Sequence, residues 1–402
     1  MNRFGRKNSL LVWHVVTMVL LFIHSLMPDK WGFLILRTLN NGTHHTSWLA
    51  FVAYSLEVLG PTKRSVAGAT SHVYYAMGYI MFSGFGYFFP DWRGLTFAVA
   101  MAHLIFLVVT PFFPESPSFL YSRKLDEEAR KVLTEFSEKT NKSLDDEFLN
   151  HLEEEIRKVE EKKGEEEAEV KKFTILDLLK HKEMRKVALI MGFGFISTVL
   201  SYYGLSFNVS SISGNLYLNN TINGIMELLG YSLVTFALDI VGRKWCSGGL
   251  MLFGGIVSVG CAILAEVGED EAVRWLSFVG KFAVSGAFCA IYVYAGELYP
   301  TEVRSTGIGF ASMTGRIGGF VSPFIIQIES QLVIYLIFGI FGIVGGALMF
   351  LLPEVKGRPI LQTIEEAVEF YKNPNKIQAA QEVVDDNEGL ERIEDPTTEA
   401  SF

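Results

Sequence analysis

Apolar and polar positions divide this chain into ten long apolar runs. They cover about residues 9–27, 33–56, 66–89, 94–113, 186–207, 217–240, 247–266, 272–295, 305–328 and 331–352. Each has about the 20 residues that a helix needs to cross the apolar core of a bilayer. The pattern predicts an all-α, polytopic membrane protein with about ten transmembrane helices. It also predicts four regions: four helices in 1–113, a cytoplasmic helical loop over 114–185, six helices in 186–353 and a tail over 354–402.

The polar segments between the runs alternate in charge. One set carries Arg3, Arg6, Lys7, Lys63, Arg64, the 115–185 loop, Arg243, Lys244, Arg304, Lys356 and Arg358; the other carries only Lys30, Arg93 and Arg274. Lysine and arginine are retained on the cytoplasmic side, so both ends of the chain and the central loop are expected there. Asn208-Val-Ser and Asn219-Asn-Thr then fall outside and are expected to accept glycans. Within 123–172, Leu125, Ala129, Leu133 and Phe136 recur at helical spacing among many Glu and Lys residues. That loop reads as a solvated connector or as a docking surface for a cytoplasmic partner. The acidic tail from Asn373 is poor in aromatics and reads as disordered.

Composition agrees with a membrane chain: 50% of residues are hydrophobic, only 20% are charged, and there are 32 phenylalanines. The net charge of −9 comes from the polar segments, and no basic stripe suggests nucleic acid. Cys246, Cys261 and Cys289 sit in or beside apolar runs, without ligand spacing, and read as packing residues. No phosphate-binding loop, metal cluster or nucleophile elbow is present in the sequence, so neither an enzyme nor a cofactor is expected.

Three motifs occur twice. Gly5-Arg6-Lys7 returns as Gly242-Arg243-Lys244, Glu57 to Arg64 returns as Glu297 to Arg304, and Pro114-Glu115 returns as Pro353-Glu354. Repeated halves of apolar helices mark secondary transporters, which expose a mid-membrane site to each side in turn.

The full set of motifs resembles the major facilitator superfamily and, within it, the organic cation, organic anion and carnitine transporters. The residues are Asn2 to Lys7, Glu57 to Arg64, Asp91-Trp92-Arg93, Pro114 to Pro117, Ser201-Tyr202-Tyr203-Gly204-Leu205, Glu297 to Thr301, Arg304 to Gly309 and Leu352 to Gly357. Sugar porters usually carry other patterns at the Ser201 to Leu205 and Ala290 to Tyr294 positions. The resemblance implies twelve helices, of which this chain would begin at the third. It implies a plasma-membrane carrier of small organic ions or zwitterions. A porter of sugar or another neutral solute is one rival reading, and a truncated membrane protein that binds without transporting is another.

Ionisable residues inside membrane helices are costly, so they are the first candidates for a substrate site. Arg316 lies near the middle of its run, and its fork of donors suits a carboxylate or sulfonate. An arginine here resembles the anion and carnitine branches. Glu227 either neutralises Arg316 or meets a substrate ammonium. Tyr231 stands where anion carriers tend to have lysine. Tyr202, Tyr203 and Phe288 match family aromatics and either line a pocket that holds quaternary ammonium or simply pack. Lys281 either lines the access path or snorkels outward. His44 and His45 point about 100° apart on a helix and cannot easily share a metal. Gly5, Arg6, Glu57, Arg64, Asp239, Gly242, Arg243, Glu297 and Arg304 sit at helix ends. There the resemblance implies a charge latch that stabilises the outward-facing state. Asp239 is expected to cap the following helix or pair with a cation such as Arg304.

Overall fold

The computed structural model describes residues 5–58, 64–123, 125–140, 175–358 and 361–372. The chain divides into two units, Met1–Lys171 and Lys172–Phe402.

In the first unit, α1 (Arg6–Ser25), α2 (Lys30–Val58), α3 (Arg64–Phe88) and α4 (Trp92–Val109) are followed by the short α5 (Pro117–Ser122) and by α6 (Asp126–Thr140). Helix α1 packs against both α2 and α4. Asp91 starts α4 by accepting from the amides of Arg93 and Gly94, which satisfies two of the orphan N–H groups of a helix start. The apolar stripe of α6 closes on α5: Ala129 is buried with Leu120 and Tyr121, as its helical spacing predicts. The remainder of 123–172 and the tail from Asn373 lie outside the described residues.

In the second unit, α7 (Ile175–Lys180) leads into six long helices: α8 (Lys182–Phe207), α9 (Leu216–Val241), α10 (Arg243–Val267), α11 (Asp270–Leu298), α12 (Arg304–Ile325) and α13 (Gln331–Met349). A final amphipathic helix, α14 (Ile364–Lys372), follows. The main contacts join α10 with α13, α10 with α11, α8 with α12, and α9 with α11. Helices α10 and α13 meet along glycines. A Cβ on Gly255 would lie 2.6 Å from the Ile343 nitrogen, and one on Gly346 would lie 2.7 Å from the Leu252 nitrogen. Small residues let the backbones approach this closely, the usual way for helices to associate in lipid.

Among the described residues, seven helices are long and apolar enough to cross a membrane: α1, α4 with its 3-10 extension, α8 with its extension, α9, α10, α11 and α13. Helices α2, α3 and α12 have 29, 25 and 22 residues, so length is not what separates them. Their Gly, Ser, Thr, Asn, His and Arg content dilutes the apolar run. Large apolar side chains stand exposed on the helix surfaces, such as Ile105 and Val108 of α4, Phe236 and Ile240 of α9, and Ile256 and Ile263 of α10. A surface of this kind suits contact with lipid.

The segment after α13 folds back on the second unit. Ile364, Ala367 and Phe370 are buried with residues of α8 and α11. Tyr371 Oη donates to the Leu298 carbonyl at 2.6 Å, and the Ile364 amide donates to Glu302 Oε2 at 3.0 Å. Burial drives the Tyr371 hydroxyl well above its usual pKa, so it stays a donor at physiological pH.

The asparagines of both sequons expected outside are buried, contrary to the expectation of glycans. Asn208 Nδ2 donates to Gln331 at 3.2 Å. Asn219 Nδ2 donates to the Ser213 carbonyl at 2.9 Å, while its oxygen accepts from Arg274 at 3.0 Å. Their amides tie turns and helices together.

Candidate functional site

Three charged side chains lie away from the ends of the long helices α8 to α13: Glu227, Lys281 and Arg316. Glu227 and Lys281 are both 0% exposed and face each other at 3.4 Å. Two phenols complete the carboxylate. Tyr202 and Tyr231 both donate to Glu227 Oε1, the latter at 2.7 Å. Glu227 and Tyr231 are four residues apart on α9, so they share one face. Lys281 Nζ also donates to Ser206 Oγ at 2.7 Å and stands 3.5 Å from the centre of the Tyr202 ring. The ammonium is thus held by a carboxylate, a hydroxyl and a ring face, each of which stabilises a positive charge.

Beside this cluster runs a wall of rings. Tyr202 and Phe288 have centroids 4.8 Å apart, Phe288 and Tyr292 are 5.3 Å apart, and Tyr203 meets Tyr202 edge-on at 5.3 Å. Tyr292 Oη reaches Ser312 Oγ at 3.3 Å. Arg316 lies one turn beyond Ser312 on α12, is exposed, and stands within electrostatic reach of the Tyr203 hydroxyl.

The repeated motifs meet at helix ends, once in each unit. In the first unit, the α1 amides of Arg6 and Lys7 donate to Glu115 Oε1 at 2.8 and 3.1 Å. In the second, the α10 amides of Arg243 and Lys244 donate to Glu354 at 2.9 and 3.1 Å. Gly5 (φ 87°) and Gly242 (φ 106°) precede these helices in the left-handed region that favours glycine. Tyrosines repeat the pattern: Tyr54 Oη donates to the Pro114 carbonyl at 2.9 Å and Tyr294 Oη to the Pro353 carbonyl at 2.6 Å.

Residues 1–367 match the family described as sugar (and other) transporter. The chain belongs to this family, within the major facilitator superfamily. The organic cation transporter protein of Drosophila melanogaster is 29% identical over 95% of this chain and 70% of its own length. Organic cation/carnitine transporter 4 of Arabidopsis thaliana is 29% identical over 90% of this chain and 68% of its own length. For solute carrier family 22 member 3 of Rattus norvegicus the values are 29%, 91% and 64%. The chain thus spans about two thirds of the length of these relatives. Among solved structures, the E. coli xylose transporter XylE in a partially occluded inward-open conformation superposes with a TM-score of 0.67. It shares 19% identity, with 89% of this chain and 83% of that one covered. A likeness at that identity shows the shared fold.

Within this major facilitator chain, several expected pairings are replaced by others. Glu227 pairs with Lys281 and not with Arg316, because Lys281 projects from α11 directly onto the α9 carboxylate. Lys281 does not snorkel: it is fully buried. Asp239 does not cap α10; Glu354 does, while Asp239 pairs with Arg243 at 3.2 Å. Arg304 does not pair with Asp239. Its donors are taken by the Tyr299 carbonyl and Thr301, while Glu297 accepts from Arg243 Nε at 2.8 Å and Nη2 at 3.2 Å. The side chains of Glu57 and Arg64, and all of Asn2, lie outside the described part of the structure.

Sequence reasoning missed Ser206, Tyr292 and Ser312, and it missed the capping role of Glu115 and Glu354. Helical spacing held the signal for three of them, since Ser206, Tyr292 and Ser312 lie four residues from Tyr202, Phe288 and Arg316. It also missed a histidine cluster in the first unit. His14 of α1 and His103 of α4 have ring centroids 6.2 Å apart, and His44 of α2 lies within electrostatic reach of both.

Proposed function

We propose that this chain is a plasma-membrane carrier of small organic ions that bear a carboxylate or sulfonate. Its substrates are anions or zwitterions, moved by alternating access, and both ends of the chain lie in the cytoplasm. One observation carries the reading. Glu227 is neutralised inside the protein by Lys281, so Arg316 is the charge left over within the helices of the second unit. Arg316 stands beside Tyr203, and Tyr203 continues into the wall formed by Tyr202, Phe288 and Tyr292. A guanidinium at the edge of an apolar wall suits a carboxylate on a small apolar or quaternary body. The relatives named for organic cations and carnitine fit this reading at the carnitine end, since a zwitterion can offer its carboxylate to Arg316.

In the same reading, Gly5, Arg6, Glu57, Arg64, Asp239, Gly242, Arg243, Glu297 and Arg304 form the helix-end latch. Its clearest element is the Arg243–Glu297 pair.

Uptake in oocytes tests the substrate class. Labelled carnitine or para-aminohippurate is expected to accumulate and tetraethylammonium is not. Arg316→Ala is expected to weaken substrate binding by about 10–100-fold, the worth of charge-assisted hydrogen bonds. Uptake of tetraethylammonium alone, or full uptake by surface-expressed Arg316→Ala, would overturn the reading.

A further inference from the structure

The environment of the Lys281 ammonium has the composition of a binding site for a cation. It holds a carboxylate oxygen at 3.4 Å, a hydroxyl at 2.7 Å and an aromatic face at 3.5 Å, on the two helices α8 and α9, and Lys281 itself has no exposure to solvent. The donors of Tyr202 and Tyr231 are both spent on the same carboxylate oxygen, Oε1, which fixes Glu227 and leaves Oε2 turned to the ammonium. Nothing in this arrangement requires that the ammonium be attached to the chain.

We propose that Lys281 is a tethered cation that fills a cation-recognition nest formed by Glu227, Tyr202, Tyr231 and Ser206. It is therefore a specificity-determining residue: by occupying the nest it keeps free organic cations out. The inference deepens the substrate reading above and rests on it for its bearing on transport, but the nest itself is tested without transport.

Lys281→Ala retains Cβ and removes the equivalent of n-propylammonium. The variant leaves a cavity of that shape facing an unpaired, buried carboxylate, a costly state that a matching cation would relieve. For the purified chain in detergent, n-propylammonium chloride is expected to raise the melting temperature of Lys281→Ala saturably, by roughly 2–4 °C or more. Sodium chloride at the same ionic strength is expected to give no such shift. The wild type and Lys281→Met, in which the stem still fills the space, are expected not to respond to n-propylammonium. Lys281→Ala with Glu227→Gln is expected to lose the response, since the carboxylate that recognises the cation is gone.

If Lys281→Ala folds only when n-propylammonium is supplied during expression, that rescue supports the proposal equally. A folded Lys281→Ala that does not respond, or a response retained when Glu227 is also replaced, overturns it. So does failure of n-propylammonium to recover the variant where Lys281→Arg folds normally. These outcomes are separate from the uptake test on the wild type. A chain that carries no anion could still show the nest, and one that carries anions could lack it.

Discussion

At the scale of single residues, Glu227 is the hub of the second unit. It receives two phenolic donors and faces one ammonium, and none of these groups reaches solvent. Removing a partner from such a group costs more than the contact itself is worth. Tyr231→Phe leaves Tyr202 and Lys281 in place, so it is expected to destabilise by only about 1 kcal/mol. Glu227→Ala strands a buried lysine and is expected to cost about 3–5 kcal/mol, with a correspondingly larger drop in melting temperature or surface expression. Equal effects of the two substitutions would contradict the hub. The sequence made Glu227, Lys281 and Arg316 legible as costly charges inside apolar runs. It did not reveal which cation the acid would take. That choice depends on the rotation of α9, α11 and α12 about their own axes, and apolar composition all round a helix leaves that rotation undefined.

At the scale of elements, the doubled motifs are helix-end devices. Glu354 accepts from the first two amides of α10, and Glu115 does the same for α1. Glu354→Ala is expected to cost about 1–2 kcal/mol, the usual worth of a cap, and Glu115→Ala a comparable amount, both measurable by thermal unfolding. Gly242→Ala is expected to destabilise further. It forces a side chain to φ 106° and places a Cβ 2.6 Å from Glu354 Oε2. Glycosidase treatment is expected to leave the chain's mobility unchanged, because Asn208 and Asn219 are buried and their amides are occupied. The helices themselves were legible from apolar run length, and their ends fall within a few residues of the expected ones. The capping partners were not, because Gly5 and Glu115 are more than a hundred residues apart and each motif gives a plausible account of itself alone. The docked α14 escaped notice for a related reason. Its stripe of Ile364, Ala367 and Phe370 lies on a helix of only nine residues and gains meaning from the surface it covers.

At the scale of the whole molecule, family membership was legible from motifs spread along nearly all of the chain. The substrate class was not, since one family fold serves relatives named for sugars, organic cations and carnitine. The latch can be tested at this scale. Arg243 and Glu297 are 16% and 31% exposed, so their pair is worth about 1 kcal/mol at most, equivalent to a population shift of about fivefold. Arg243→Ala is therefore expected to lower uptake by a few-fold at unchanged surface expression. Exchange of the two charges, Arg243→Glu with Glu297→Arg, is expected to recover part of it; a swap no better than either single change would argue against the latch. The glycine-lined meeting of α10 and α13 has a mechanical consequence. Where backbone rests on backbone, no side chain can change rotamer to let one helix slide past the other. These two helices should therefore behave as one stiff beam, and any bending during the transport cycle must be taken up by the other helices around it.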